Sequence, residues 1–191
     1  ILEIEDLEFF KEKKIVVAKN LIESITKECE IKNYKEIKTF KGSELVGTIC
    51  SHPFLKMNYD YDVPMLDGQF VNLDQGTGFV HCAPSHGVDD FNLCLKNNIP
   101  SLYTVDNAGL YTKEIPYFTG THIFKADTVV IEKLKDQNKL LKNNKLTHSY
   151  PHSWRSKAPL IYRATPQWFI SMQKNNLRDK AIKAINDTTF F

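Results

Sequence analysis

The spacing of apolar residues along the chain predicts several short helices and strands. The clearest helix covers residues 125–141, where Val130, Leu134 and Leu141 recur at helical spacing and Asp127 can cap the first turn. A second helix is predicted at residues 20–29, where Asn20 and Glu23 form a capping box. A third is predicted from Asp89 or Asp90 to about residue 97, and a fourth at residues 177–185. Short apolar runs predict strands at residues 15–18, 79–83, 101–106 and 159–170.

The order of these elements indicates the fold class. Strands and helices alternate irregularly, which argues against a doubly wound parallel sheet and favours an α+β domain. Residues 39–54 contain two glycines and a proline and should form turns and short strands, and Asp67-Gly68 is a hairpin signal. We therefore predict a barrel-like or folded β-sheet with peripheral helices.

Composition narrows the class of protein without naming a function. The chain has 191 residues, 42% of them hydrophobic and 25% charged, as in ordinary globular domains, and it has no apolar run long enough to span a membrane. Its net charge of +2 is too small to indicate a nucleic-acid-binding protein, although a local basic groove is compatible with this charge. The four cysteines include no C-x-x-C pair, and no secretory signal precedes them, so we expect reduced thiols and a cytoplasmic location. The chain begins at Ile1 within an apolar–polar alternation, which we interpret as a fragment of a longer protein.

The stretch "GTGFVHCAPSHGVDDF", residues 76–91, has the highest density of candidate chemistry. Glycines 76 and 78 allow a close backbone approach, and Gly87 separates a histidine from two aspartates at the predicted start of a helix. This arrangement suits a small ligand that carries both a cation and a carbonyl group. Two other interpretations stay open: solvated histidines around an ordinary turn, and a metal site formed by His81, His86 and Asp90. Pro84 interrupts any helix between the histidines, which weakens the metal interpretation.

A second candidate surface lies at residues 148–169, "HSYPHSWRSKAPLIYRATPQWF". Arg155, Lys157 and Arg163 are interleaved with tyrosines and tryptophans, a pattern that suits phosphate contacts and base stacking. The alternative, in which the aromatic side chains belong to the core and the cations to a solvated face, is equally compatible. His148 and His152 are separated by Pro151, so no zinc site is predicted there.

These two stretches resemble the editing insertion of the isoleucyl-tRNA synthetases of bacterial type. The resemblance covers nearly the whole chain and includes "HPF" at 52–54, "DVP" at 62–64 and "ATPQWF" at 164–169. His81 and Gly87 match the isoleucyl pattern and neither the valyl nor the leucyl one, although the three families share the editing-domain fold. The resemblance implies an editing domain over residues 1–170, followed by a helix, residues 171–191, that leads back towards the catalytic domain.

The resemblance also implies an activity. A synthetic site that accepts isoleucine must admit valine, which is one methylene smaller, so a second site hydrolyses the valyl ester on tRNA(Ile) and excludes the isoleucyl ester. The valyl adenylate is a further possible substrate. The implied partners are the acceptor end of tRNA(Ile), the valyl group and the rest of the synthetase polypeptide, with no membrane. ATP and magnesium would belong to the catalytic domain of the full-length enzyme, and no cofactor is implied here.

The resemblance assigns roles to individual residues. Asp90 would hold the substrate's α-ammonium group, and His81 would line the amino-acid pocket and reject the larger side chain, so both are the predicted catalytic residues. Gly76, Thr77 and Gly78 would let the ester and the terminal ribose approach the backbone, with Arg155, Lys157 and Arg163 as tRNA contacts. Cys82 should face away from His81 along a strand.

Two departures from the family pattern have consequences. Many relatives carry cysteine pairs where this chain has Ser153 and Ser156, so no zinc is expected from that segment. A threonine-rich strand that forms one wall of the pocket in relatives is absent, so the pocket should be incomplete. The leading hypothesis is thus an editing hydrolase. Its alternatives are a tRNA acceptor-end binding module that is inactive in isolation and, third, a metal-dependent hydrolase.

Overall fold

Small sheets and separate helices make up the fold in this computed structural model, which describes residues 1–5 and 14–189. The strands are β1 (Leu2–Ile4), β2 (Lys14–Ile15), β3 (Tyr34–Glu36), β4 (Ile49–Ser51) and β5 (Asp62–Pro64). The α-helices are α1 (Ile22–Glu28), α2 (Val88–Lys96), α3 (Ile123–Asp136) and α4 (Leu177–Asn186). Short 3-10 helices occur at Lys19–Leu21, Gly42–Leu45, Leu55–Met57 and Lys174–Asn176. The α+β expectation is confirmed.

The first sheet has the antiparallel order β2-β1-β3, with Leu2 opposite both Ile15 and Glu36. Strand β1 occupies the centre because its alternating residues Leu2 and Ile4 are almost fully buried. Helix α1 follows β2 and contributes the buried side chain of Ile25. One small core therefore lies at the N-terminal end of the described chain.

The second sheet is the antiparallel pair β4-β5, in which Ile49 faces Pro64 and Ser51 faces Asp62. Phe54 and Tyr59, which lie between the two strands, form a buried aromatic cluster with Phe118. Val129, Val130 and Leu134 of α3 pack against this cluster, and the Tyr59 hydroxyl donates a hydrogen bond to the Pro116 carbonyl at 2.7 Å. The end of the β4–β5 hairpin is thus anchored to the longest helix.

Several predicted strands are wrong. Within the described residues there is no closed barrel, and residues 79–83, 101–106 and 159–170 form no regular strand, only the isolated bridges Val105–Tyr111 and His152–Pro159. The strand predicted at 15–18 is reduced to Lys14–Ile15, and Asp67-Gly68 does not join paired strands. The physical reason is that backbone groups of these segments bond to side chains or to single distant residues, so no ladder forms. One example is the Tyr162 carbonyl, which is bonded by a histidine ring.

The helices lie where the periodicity predicted them, but their ends differ, and α3 ends at Asp136, so Leu141 lies outside it. Asn20 lies inside a 3-10 turn and makes no capping bond, and α2 is capped by the backbone of Gly87, which places Asp89 and Asp90 in its first turn. Helix α3 begins after His122, whose Nδ1 accepts a hydrogen bond from the Phe124 N–H, so Asp127 is not its cap. No helix of the described residues is long and apolar enough to cross a membrane.

Candidate functional site

The glycine-rich turn at residues 76–78 makes the close backbone approach that the sequence predicted, and its neighbour is another part of the same chain. Gly78 has φ +83°, and a Cβ placed on it would lie 2.6 Å from the Cβ of Ala18. The Ala18 N–H donates a hydrogen bond to the Thr77 carbonyl at 2.8 Å. Gly76 also has a positive φ but faces open space. Gly78 therefore packs the turn against the segment after β2, and Gly76 and Thr77 stay exposed.

Asp90 is positioned by the turn that precedes α2. Its Oδ2 accepts a hydrogen bond from the Ala83 N–H at 3.1 Å, and its side chain lies in the first helical turn, where the helix dipole favours a negative charge. Within the described residues this carboxylate makes no ion pair, and the residue is half-buried. Gly87 leaves room for it, because a Cβ on Gly87 would lie 2.9 Å from Oδ2. The result is an oriented carboxylate without a cationic partner.

The thiols beside Asp90 are not nucleophiles at neutral pH. Burial, followed by the negative charge of Asp90, raises the pKa of both Cys82 and Cys94. Both thiols therefore stay protonated, and a thiolate mechanism is not supported. The prediction that Cys82 faces away from His81 on a strand rested on a strand that residues 79–83 do not form.

His81 is exposed, and a second histidine lies within its electrostatic reach. Burial, and then the nearby His81, lowers the pKa of His52. The His52 ring stacks on Tyr59 with centroids 4.7 Å apart, and its Nδ1 accepts a hydrogen bond from the Phe54 N–H at 3.0 Å. His52 is thereby held as a neutral ring with its proton on Nε2. Sequence reasoning did not single out His52, although the "HPF" motif contains it.

His86 braces the turn instead of facing a ligand. Its Nδ1 lies 2.7 Å from the Tyr162 carbonyl, which can only accept, so Nδ1 carries a proton, and Nε2 lies 2.7 Å from the Thr104 hydroxyl. Both ring nitrogens are occupied, and the described residues contain no group of three or more His, Cys, Asp or Glu placed to hold a metal ion. The triad of His81, His86 and Asp90 is therefore not assembled as a metal site.

Ser85 adds three bonds to the same brace. Its hydroxyl lies 3.0 Å from the Ser101 hydroxyl and donates to the Leu102 carbonyl at 2.6 Å, and its carbonyl accepts from the Ala164 N–H at 2.7 Å. Ser85 is buried, so these bonds are shielded from water. The turn that carries the Asp90 contact is thus tied to residues 101–104 and 162–164.

The three predicted tRNA-contacting cations lie in different environments. Arg155 is exposed and lies over the Trp154 ring, 5.0 Å from its centroid, and Lys157 is exposed as well. Arg163 is half-buried and donates to the Val105 carbonyl at 3.2 Å and to Oδ1 of Asn107 at 2.5 Å. Among the residues that the structure describes, the side chains of Arg155 and Lys157 make no hydrogen bond or ion pair, whereas Arg163 is bonded to Val105 and Asn107.

Comparison with known proteins identifies the family. Residues 4–191 match the family model described as tRNA synthetases class I (I, L, M and V). The chain is 65% identical, over its full length, to an isoleucine–tRNA ligase of Pelagibacter ubique, of which it covers 21%. It is 47% identical over 176 residues to the isoleucine–tRNA ligase of Francisella tularensis subsp. tularensis, covering 92% of this chain and 18% of that protein. It is 45% identical over 170 residues to that of Hahella chejuensis, covering 89% of this chain and 18% of that protein. The chain thus spans about a fifth of the length of these relatives, and it belongs to the class I tRNA synthetases of the I, L, M and V group.

Proposed function

We propose that this chain is the editing region of an isoleucine–tRNA ligase and hydrolyses valyl-tRNA(Ile) once valine has been attached in error. The substrate is an aminoacyl ester with a free α-ammonium group beside the carbonyl that is attacked. A site for this ester needs a carboxylate that is held in one orientation and is not paired with another cation. It also needs a group that excludes side chains larger than that of valine. The valyl adenylate, which carries the same ammonium and carbonyl groups, is a second candidate substrate, and the proposed location is the cytoplasm.

The observation that carries the proposal is the state of Asp90. Its carboxylate is half-buried, oriented by the Ala83 N–H at 3.1 Å and without an ion pair among the described residues. One oxygen is used for positioning, which leaves the other free to accept a charge-assisted hydrogen bond from the substrate ammonium. The thiols of Cys82 and Cys94 are protonated, so the attack is best assigned to water instead of a covalent nucleophile.

Selectivity against isoleucine is assigned to His81. The ring is exposed next to the neutral His52, whose own position is fixed by stacking on Tyr59. The bulk of the His81 imidazole is proposed to reject one extra methyl group by steric overlap. The metal-dependent alternative is not favoured, because both ring nitrogens of His86 already contact Tyr162 and Thr104.

The test uses the full-length synthetase. We expect Asp90→Asn to slow deacylation of valyl-tRNA(Ile) by about 30- to 1,000-fold, corresponding to about 2–4 kcal/mol for an unpaired ammonium. Activation of isoleucine should be unchanged. Asp89→Asn is the matched control, because Asp89 lies in the same helical turn but is exposed. Equal deacylation by wild type and Asp90→Asn would refute the assignment.

The remaining alternative is a module that binds the acceptor end of tRNA without hydrolysing the ester. The exposed Arg155 and Lys157 favour phosphate contacts of this kind. Two results together would support that alternative. The wild-type enzyme would fail to deacylate valyl-tRNA(Ile), and Asp90→Asn would still bind uncharged tRNA(Ile).

A further inference from the structure

Thr104 lies outside the glycine-rich stretch, yet its side chain contacts the turn that precedes α2. Its hydroxyl lies 2.7 Å from Nε2 of His86. The other ring nitrogen, Nδ1, lies 2.7 Å from the Tyr162 carbonyl, which belongs to the backbone and is present whatever side chain stands at that position. Within the described residues, Thr104 is therefore the one side chain that bonds to the His86 ring.

The backbone of Thr104 is held on both sides, so its hydroxyl is presented from a fixed position. Its N–H donates to the Leu102 carbonyl and its carbonyl accepts from the Thr112 N–H, both at 3.0 Å. The next residue, Val105, is buried and forms an isolated bridge with Tyr111. Because a hydroxyl can both donate and accept, it can bond to the imidazole in either protonation state.

Two further hydrogen bonds connect His86 to Asp90 through Ala83. The His86 N–H donates to the Ala83 carbonyl at 2.9 Å, which closes the turn at residues 83–86. The Ala83 N–H donates to Oδ2 of Asp90 at 3.1 Å. Since both bonds involve Ala83, a shift of His86 moves the donor that orients the carboxylate.

Ser85 keeps this turn in place when the His86 ring is released. Its hydroxyl donates to the Leu102 carbonyl at 2.6 Å, and its carbonyl accepts from the Ala164 N–H at 2.7 Å. Neither bond involves Thr104. Loss of the Thr104 hydroxyl should therefore loosen one end of the turn without unfolding the segment, which separates an effect on orientation from an effect on folding.

We propose that Thr104 is a positioning residue of the editing reaction and acts on Asp90 through His86 and Ala83. This inference rests on the proposed function. Thr104 does not touch the substrate, but it restricts the directions in which the Asp90 carboxylate points, and correct orientation of a group that binds the reacting ester raises the rate of the step. Binding of the whole valyl-tRNA(Ile) should change little, because contacts to the nucleic acid backbone dominate such affinities.

The test is single-turnover deacylation of valyl-tRNA(Ile) by the full-length synthetase carrying Thr104→Val or Thr104→Ser. Valine has nearly the shape of threonine but cannot bond to Nε2, and its methyl group occupies the place that a substituting water would need. Thr104→Val should lower the maximal rate about three- to tenfold at an unchanged half-saturating concentration of tRNA, as expected for the loss of one hydrogen bond. Thr104→Ser keeps the hydroxyl and should stay within about twofold of wild type.

Thr112→Val is the matched control. Thr112 is half-buried like Thr104, and its hydroxyl donates to the Tyr103 carbonyl at 2.6 Å. Within the described residues it makes no hydrogen bond to the turn at 83–86. This variant should deacylate valyl-tRNA(Ile) at the wild-type rate, since it loses a hydroxyl from the same part of the fold without releasing the His86 ring.

A double variant shows whether Thr104 acts through Asp90. In Gly87→Ala the added Cβ would lie 2.9 Å from Oδ2 of Asp90, so the carboxylate is already displaced. Adding Thr104→Val to Gly87→Ala should then lower the rate by less than about twofold, because two changes that act on one bond are not additive. A full three- to tenfold further loss would overturn the proposed route through Asp90.

Other outcomes also separate this inference from the proposed function. Equal maximal rates for wild type and Thr104→Val, equal losses in Thr104→Val and Thr112→Val, or a Thr104→Ser enzyme as slow as Thr104→Val would each overturn the inference and leave the proposed hydrolysis in place. A wild-type enzyme that does not deacylate valyl-tRNA(Ile) would instead refute the proposed function, and the role of Thr104 with it.

Discussion

Replacing Gly87 by alanine tests the candidate site through a single methyl group. The backbone of Gly87 has φ −146° and ψ 144°, which any residue adopts, so alanine introduces no backbone strain. The new Cβ would lie 2.9 Å from Oδ2, 3.1 Å from Cγ and 3.5 Å from Cβ of Asp90. An ordinary contact begins at 3.4 Å, so the carboxylate must move by about 0.5 Å.

That displacement moves the oxygen through which Asp90 is oriented. The Ala83 N–H lies 3.1 Å from Oδ2, and a shift of about 0.5 Å away from Ala83 would lengthen this contact to about 3.6 Å, which is no longer a hydrogen bond. A hydrogen bond to a charged group contributes about 1.5–3 kcal/mol. We therefore expect deacylation of valyl-tRNA(Ile) by the full-length enzyme to fall by about 10- to 150-fold, since each 1.4 kcal/mol is a factor of about ten.

The control for this change is Gly42→Ala. Gly42 has no atom within 4 Å of the position of an added Cβ, so alanine fits there without moving a neighbour. Thermal unfolding followed by circular dichroism checks that both variants are folded. If Gly87→Ala deacylates valyl-tRNA(Ile) as fast as Gly42→Ala, then the orientation of Asp90 by Ala83 has no part in the reaction and the reasoning is refuted.

Two further predictions concern selectivity and the aromatic cluster. His81→Ala in the full-length enzyme should begin to hydrolyse isoleucyl-tRNA(Ile), whereas an equal loss of all hydrolysis would assign His81 a catalytic or structural role instead. Tyr59→Phe removes the donor to the Pro116 carbonyl and should lower the free energy of unfolding by about 1 kcal/mol in urea titrations, unless solvent reaches that carbonyl. Burial raises the pKa of Tyr59 to about 12, above the value of about 10 in an unfolded chain. The free energy of unfolding should therefore be unaffected by this group below about pH 10 and should decline between about pH 10 and 12. This decline should be smaller in Tyr59→Phe.

Local signals in the sequence predicted the helices well and the strands poorly. Helix α4 lies at Leu177–Asn186, close to its predicted span, because helical periodicity is read from neighbouring residues alone. The strand predicted at 159–170 is absent, because a strand needs a distant partner, and in this segment the Tyr162 carbonyl binds His86 while the Ala164 N–H binds Ser85. No local pattern specifies those partners.

The candidate site was predictable in its residues and not in its arrangement. Sequence alone singled out His81, His86 and Asp90 as a group, yet it could not separate a ligand-facing histidine from a bracing one. That distinction depends on Thr104 and Tyr162, which are remote in sequence from His86. The effect of His81 on the pKa of His52 is likewise a property of the folded chain that no local pattern shows.

The bonds from Ser85 and His86 to residues 162–164 also bear on how the protein is made. The His86–Tyr162 contact joins residues 76 apart, and contacts at such separations form late because a long loop must close first. On a ribosome, helix α2 and the bonds from Ser85 and His86 to residues 101–104 can form early, whereas the bonds to Tyr162 and Ala164 cannot form until residue 164 has left the exit tunnel. We therefore expect that nascent chains arrested before residue 162 contain His81, His86 and Asp90, but that the turn carrying them still fluctuates. In longer nascent chains this turn should reach its final conformation in one late step.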